Sequence, residues 1–281
     1  MIIWLASYPK SGNTYLRSIL AAYFYSKDGN FNFNLLKNFI QFPNKYVFDK
    51  LGLDLRNHSL LSENYIEAQN HINKLKKNRI NFVKTHSSCV SLNGNEFTNF
   101  KNTLGVIYIV RDPRNILTSY SHHFQKSLKN SLDDMFQDIT LAPNSNKHAF
   151  SFVGSWRLNY ESWKKFDNHK KYLLIKYEDL LQDTEKTTIK VLEFVHKISN
   201  LKFVLEKDKL HRALKTTEFD QMRALEKKNG FVESKVSKIS GKKINFFNLG
   251  KKNNWKNLLP ENFKKKIENQ FRKEMKELRY L

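Results

Sequence analysis

A tight polar loop follows the chain's first apolar run and constrains the fold more than any other stretch. Ile2, Ile3, Trp4 and Leu5 have the look of a buried strand, and Leu16, Ile19, Leu20 and Tyr23 then recur at helical spacing. Between them stands Ser7-Tyr8-Pro9-Lys10-Ser11-Gly12-Asn13-Thr14-Tyr15. A strand that enters a helix through so short a loop aims backbone N–H groups and the positive end of the helix dipole at one place. Lys10 adds a full positive charge there, Gly12 permits close backbone approach, and Ser11 and Thr14 can donate hydrogen bonds. The loop fits a phosphate-like anion. It is not a Walker A motif, because the second glycine and the Lys-Ser/Thr that follows it in G-x-x-x-x-G-K-[ST] are absent. Taken alone, it also fits an ordinary strand–turn–helix with a surface lysine.

Tyr8-Pro9-Lys10-Ser11-Gly12-Asn13-Thr14-Tyr15 closely resembles the 5′-phosphosulfate loop of the PAPS-dependent sulfotransferases, which use 3′-phosphoadenosine 5′-phosphosulfate (PAPS) as sulfuryl donor. The resemblance implies an α/β fold of three layers, with a central, mostly parallel sheet flanked by helices and related to the P-loop NTPases. The chain's own order of strand, loop and helix gives the same class. The resemblance runs from about Ile2 to Lys256, and residues 1–281 are expected to form a single sulfotransferase domain.

Later segments agree with the first. Arg79 to His86 reads as a short strand ending in polar residues, and sites in open parallel sheets gather at such carboxyl ends. Lys84 and His86 alternate, so they face the same way from an extended chain. Lys84-Thr85-His86 is similar to the place where the family has its catalytic base, which implies that role for His86, with Lys84 assisting near the sulfuryl group. The family's following Leu-Pro is Ser87-Ser88 here. Val106 to Val110 reads as a central strand. Asp112 is a good N-cap and Pro113 a good first helical residue, so a helix is expected through Leu117, Ser119 and Tyr120. The resemblance assigns Arg111 and Ser119 to the donor's 3′-phosphate, which a guanidinium fork suits through two parallel hydrogen bonds.

Tyr172 to Lys176 is another buried strand, closed by Tyr177-Glu178-Asp179, where the family has a tyrosine near the adenine. Tyr177 fits a core residue equally well. Thr216 to Met222 resembles the family's adenine clamp and implies Phe219 against the base, with Tyr15 and Tyr177 bracketing it. Asn248 to Lys256 resembles the C-terminal donor loop: Gly250 and Trp255 keep the spacing, Asn248-Leu249 replaces the usual basic pair, and Lys251 and Lys252 are placed to supply the charge.

Other segments suggest structure without chemistry. Residues 28–80 read as an irregular and then helical insertion, with Tyr65, Ile66, Gln69, Ile72 and Leu75 on one helix ending near the basic Lys74–Arg79 cluster. Residues 128–150 read as a loop with a short helix, Phe152 to Lys165 as an aromatic helix, and Thr188 to His196 as a further helix. Pro260 to Leu281 reads as one basic amphipathic helix, with Phe263, Ile267, Phe271 and Met275 on a stripe. The stripe fits packing on the domain, with attachment to a membrane surface as the other reading.

The chain has 49 basic and 27 acidic residues, a formal charge of +22, which attracts anions of many kinds. Without zinc-finger spacing or an RNP-like motif, nucleic acid is not an expected partner. Cys89, the single cysteine, excludes an intramolecular disulfide and suggests a reducing compartment. No apolar run approaches a membrane span, and the N-terminal run passes into the loop without a secretory core. The expectation is a cytoplasmic enzyme, in contact with a membrane surface only at its periphery if the terminal stripe is free. PAPS is the expected co-substrate and adenosine 3′,5′-bisphosphate (PAP) the product; the acceptor is a small molecule, lipid or glycan. No metal is required, and adjacent His122-His123 make a poor metal pair. Two other classes fit parts of the pattern: a P-loop-like kinase or nucleotidase using ATP, and a non-enzymatic binder of anionic polymers.

Overall fold

The computed structural model describes residues 1–54, 57–75, 80–142, 149–237 and 241–281. The first strand, Ile2–Ser7 (β1), is apolar on both sides. Because successive side chains point to opposite faces, Ile2, Trp4 and Ala6 join a core with Val83, Val106 and Tyr108. Ile3 and Leu5 join a second core with Phe82, Ile107 and Ile109. Strands buried on both faces belong inside a parallel sheet covered by helices. The remaining strands of that sheet are Ile40–Gln41 (β2), Asn81–Thr85 (β3), Thr103–Val110 (β4) and Tyr172–Lys176 (β5). Among the described residues they pair, all in parallel, in the order β2-β3-β1-β4-β5.

The helices that cover it are Asn13–Tyr25 (α1), Tyr65–Leu75 (α2), Pro113–Phe124 (α3), Leu128–Phe136 (α4), Trp156–Trp163 (α5), Tyr177–Gln182 (α6), Thr184–Ile198 (α7), Lys207–Thr216 (α8), Phe219–Asn229 (α9), Glu261–Gln270 (α10) and Arg272–Glu277 (α11). Leu16, Ile19 and Leu20 of α1 fill the second core together with Val191, Leu192 and Val195 of α7. Tyr65 and Ile72 of α2 and Trp156, Tyr160 and Trp163 of α5 fill the first. Trp4 is its centre, with ring centroids 5.5 Å from Phe97 and 5.7 Å from Trp163. Its indole N–H donates to Thr103 Oγ1 at 3.0 Å, so burial leaves no polar atom unmet. The result is the three-layer α/β arrangement expected from the sequence.

Three expectations change. The insertion at 28–80 contributes β2, which pairs with Val83 and Lys84 at the sheet's edge, where only irregular chain and helix were expected. The aromatic helix begins at Trp156, not Phe152. Ser151–Phe152 pairs instead with Leu141–Ala142, Gly154 turns the chain at φ +70°, and the Ser155 hydroxyl accepts from Leu158 N–H as the cap. The C-terminal segment is two helices, broken at Phe271. Its stripe is covered: Ile267, Phe271 and Met275 are buried, and Phe271 lies 5.0 Å from Trp156, so the stripe is not a membrane-facing surface. Among the described residues no helix is long and apolar enough to cross a membrane. Lys76 to Arg79 of the basic cluster lie outside the described residues.

Candidate active site

The carboxyl ends of β1, β3, β4 and β5 share one edge of the sheet, and each is followed by a residue singled out in the sequence. They open on a cleft of about 1900 Å³ lined by Lys10, Gly12, Asn13, Thr14, Tyr15, Lys84, His86, Arg111, Ser119, Tyr177, Phe219, Gly250 and Lys251. That volume is enough for a nucleotide and a second ligand side by side. It forms where β1 has β3 on one side and β4 on the other, the place where parallel sheets bind ligands.

Backbone geometry explains the loop's composition. Lys10 is left-handed at φ +67° and Gly12 at φ +99°. A Cβ added to Gly12 would stand 2.2 Å from Cδ2 of Tyr177, so only glycine lets that ring lie against the loop. Asn13 is taken up locally, its Nδ2 donating to the Leu5 carbonyl at 3.0 Å and to Ser7 Oγ at 3.3 Å. Ser11 is fully buried. The Tyr177 ring also has the Arg111 guanidinium 4.4 Å from its centroid, and Arg111 Nη1 donates to the Lys10 carbonyl at 3.0 Å. These contacts fix the 10–12 turn against β4 and α6.

His86 donates from Nδ1 to the Ser7 carbonyl at 2.8 Å. Burial, with Lys84 adding to it, pushes the imidazole down to about 3, so the ring is neutral near pH 7. A neutral ring that donates from Nδ1 leaves its lone pair on Nε2, the form a general base needs. Burial pushes Lys10 down to about 7, with Arg111 and Lys84 adding to the shift and Glu233 opposing it. The Lys10 ammonium rests over the Phe246 ring, 3.9 Å from the centroid. Lys84 is pushed to about 8, again chiefly by burial. His123, beside Phe124 and Phe246, is pushed down to about 2 by burial and by Lys10. Among the described residues no three His, Cys, Asp or Glu side chains gather as metal ligands would.

The C-terminal loop reaches the cleft by docking on α3. Asn253 Oδ1 accepts from Thr118 Oγ1 at 2.7 Å, Trp255 N–H donates to Asn115 Oδ1 at 2.8 Å, and Arg114 stacks 3.9 Å above Trp255. Gly250 presses on Phe219, whose ring would lie 2.8 Å from an added Cβ. Lys251 and Lys252, exposed on this loop, both line the cleft.

Sequence reasoning passed over Arg17, Glu233, Gln41 and Phe246, all on the cleft wall. Arg17 had a signal, since it follows Thr14 by three positions and must share its helix face. Glu233 had none, arriving from 216 residues away to pair with Arg17.

Donors in the wall and just behind it are left unmet. Arg111 Nε, Arg17 Nε and Ser11 Oγ are buried without a hydrogen-bond partner among the described residues, and buried polar groups rarely stay so. A family model described as "Sulfotransferase domain" matches residues 2–279. The chain belongs to that family. Sulfotransferase 2A1 of Homo sapiens is 30% identical over 131 residues, 44% of this chain and 40% of its own length. Sulfotransferase 1E1 of Mus musculus is 22% identical over 285 residues, spanning 97% of this chain and 83% of that protein. The matches to the human and macaque 2A1 proteins thus span only about half or less of those relatives, 40% and 52%. Among solved structures, mouse sulfotransferase SULT7A1 complexed with PAP superposes with a TM-score of 0.56 at 18% identity, covering 97% of this chain and 84% of that one. Retinol dehydratase in complex with androsterone and inactive cofactor PAP gives 0.60 at 17%, covering 98% and 80%. At such identities the likeness is one of fold, and it agrees with the parallel sheet of this sulfotransferase domain.

Proposed function

We propose that this chain moves the sulfuryl group of PAPS to a hydroxyl or amine of an acceptor, with His86 as general base, and that residues 1–281 act as one catalytic unit. The observation that supports this most is the His86 ring, held through Nδ1 by the Ser7 carbonyl on the wall of the cleft that Lys10, Lys84 and Arg111 also line. Sulfuryl transfer should resemble phosphoryl transfer, with in-line attack and a loose transition state, so the protein acts mainly by positioning and by charge.

In this reading Arg111 and Ser119 hold the 3′-phosphate, Lys251 lends charge, and Tyr15, Tyr177 and Phe219 bracket adenine across from Gly250. The N–H groups of residues 10–15 hold the 5′-phosphosulfate at the start of α1. His86 Nε2 takes the proton as the acceptor oxygen or nitrogen attacks sulfur. Lys10 meets the negative charge that grows on the bridging oxygen as the S–O bond breaks. Lys84 faces the sulfuryl oxygens. Bound anions would lift the depressed titration points of His86, Lys10 and Lys84 towards their ordinary values.

Calorimetric binding of PAP beside adenosine 5′-phosphate, at moderate salt, tests the donor site. Marked preference for PAP is expected. Equal or absent binding would overturn the 3′-phosphate assignment and with it the sulfotransferase reading.

A further inference from the structure

The cleft contains a carboxylate that none of the assigned roles explains. Glu233 reaches in from the turn after α9, its side chain 22% exposed, while its partners Arg17 and Lys84 are only 5% and 6% exposed. Its Oε2 accepts from Thr14 Oγ1 at 2.9 Å. Its Oε1 accepts from Arg17 Nη2 and lies 3.4 Å from Lys84 Nζ. Thr14 and Arg17 come from one face of the first two turns of α1, and Lys84 from the end of β3. A helix and a strand thus present donors that converge on the two oxygens of one side chain from a turn.

The balance of charge favours a larger anion there. Lys10, Lys84, Arg17 and Arg111 are four basic side chains on this wall. Burial opposes ionisation of Glu233, yet Arg17, Lys84 and the hydrogen bonds from Arg17 and Thr14 hold it well below the ordinary carboxylate range. Even so, Arg17 Nε keeps no partner among the described residues, while Lys10 and Lys84 stay depressed, chiefly by burial. One carboxylate does not satisfy the set. Three donors about one point, with an unmet fourth beside them, suit the three oxygens of a sulfuryl group better than the two of a glutamate.

The geometry points to Arg17 as a catalytic residue that binds the transferring sulfuryl group together with Thr14 and Lys84, with Glu233 occupying that subsite until the donor displaces it. This inference rests on the sulfotransferase reading. In the transfer, the acceptor atom forms the new bond to sulfur and gives its proton to His86. The S–O bond to the 5′-phosphate breaks, and its electron pair leaves on the bridging oxygen. Arg17 holds a non-bridging oxygen throughout, and its fixed fork needs no reorganisation as charge spreads.

The two halves have different signatures in binding, because PAP lacks the sulfuryl group and PAPS has it. Calorimetry of PAP and PAPS, without acceptor at pH 6, is compared for the wild type, Glu233→Gln, Arg17→Ala and Arg17→Lys. Removing an internal competitor tightens PAPS by on the order of tenfold in Glu233→Gln, and PAP by clearly less. Arg17→Ala loosens PAPS relative to PAP and lowers kcat by roughly 10²–10³, as loss of a preorganised donor does. Arg17→Lys recovers part of both. Variants that shift PAP and PAPS equally, or neither, overturn the inference while PAP binding by the wild type still upholds the donor site. A wild type that binds neither overturns both. PAP binding also reports folding; should Arg17→Ala fail to fold, the PAPS-to-PAP ratio in Glu233→Gln and Arg17→Lys decides.

Discussion

The Nδ1–H of His86 donates to the carbonyl oxygen of Ser7 across 2.8 Å, so the last residue of β1 sets the tautomer of the residue that follows β3. Because both strands are parallel neighbours in the sheet, that bond needs no loop to hold it. Replacing His86 by Ala removes the base but leaves the donor groups in place. The variant is expected to lose about 10²–10⁴ in kcat while PAP affinity stays unchanged. Steady-state turnover beside calorimetry checks both, and unchanged kcat would remove His86 from the role.

The dependence on pH should be lopsided. In the free enzyme, which kcat/KM reports, His86 gains its proton only near 3, so no imidazole limb is expected there between pH 5 and 7. Lys10 and Lys84 lose theirs as pH rises through about 7 and about 8, which weakens the grip on an anionic donor. The profile of kcat/KM for PAPS should therefore fall on its alkaline side from near neutrality. In kcat, which reports the loaded enzyme, the fall should move to higher pH, because bound anions favour the charged lysines. A His86 imidazole that titrates near 6.5 in the free enzyme, followed by NMR, would mean that it behaves as an ordinary histidine.

Gly12 combines a left-handed φ of +99° with a Tyr177 ring 2.2 Å from where a Cβ would stand. Gly12→Ala meets a backbone cost of about 1 kcal/mol and must also push Tyr177 off the Arg111 guanidinium. A lower Tm and a large loss of PAP affinity are expected together. A variant as stable and as tightly binding as wild type would show that the ring's seat on the loop does not matter.

Much of this site is legible in the sequence because its parts are local. Lys10, Gly12 and Thr14 sit in one strand–loop–helix, and Asp112-Pro113 announce the helix that presents Ser119, its cap accepting from Arg114 N–H at 2.9 Å as expected. The readings that changed depend on tertiary partners. A two-residue strand such as β2 has no period of its own and exists because β3 offers a free edge. The aromatic spacing from Phe152 onward suggests a helix, although Gly154 and Ser155 have the turn and cap chemistry to start it later. Arg17 could have been found from its spacing to Thr14. Glu233 could not, since only folding brings it to α1.

Glu226 determines how firmly that carboxylate's segment is held. It is buried in α9, and its carboxylate accepts from Phe246 N–H at 2.7 Å, from Phe247 N–H at 3.0 Å and from the Ser234 hydroxyl. One side chain thus ties residues on both sides of the 238–240 stretch to a single helix. Through Phe246 it also fixes the ring on which the Lys10 ammonium rests. Glu226→Ala leaves these donors without their acceptor and should destabilise the fold by about 2–3 kcal/mol. Glu226→Gln, which keeps one acceptor oxygen, should fall between. Urea unfolding measures the loss, and amide exchange at Phe246 and Phe247 should speed up in the same order. If Glu226→Ala unfolds at the wild-type midpoint, the clasp is held by the Phe231–Phe246–Phe247 ring contacts instead.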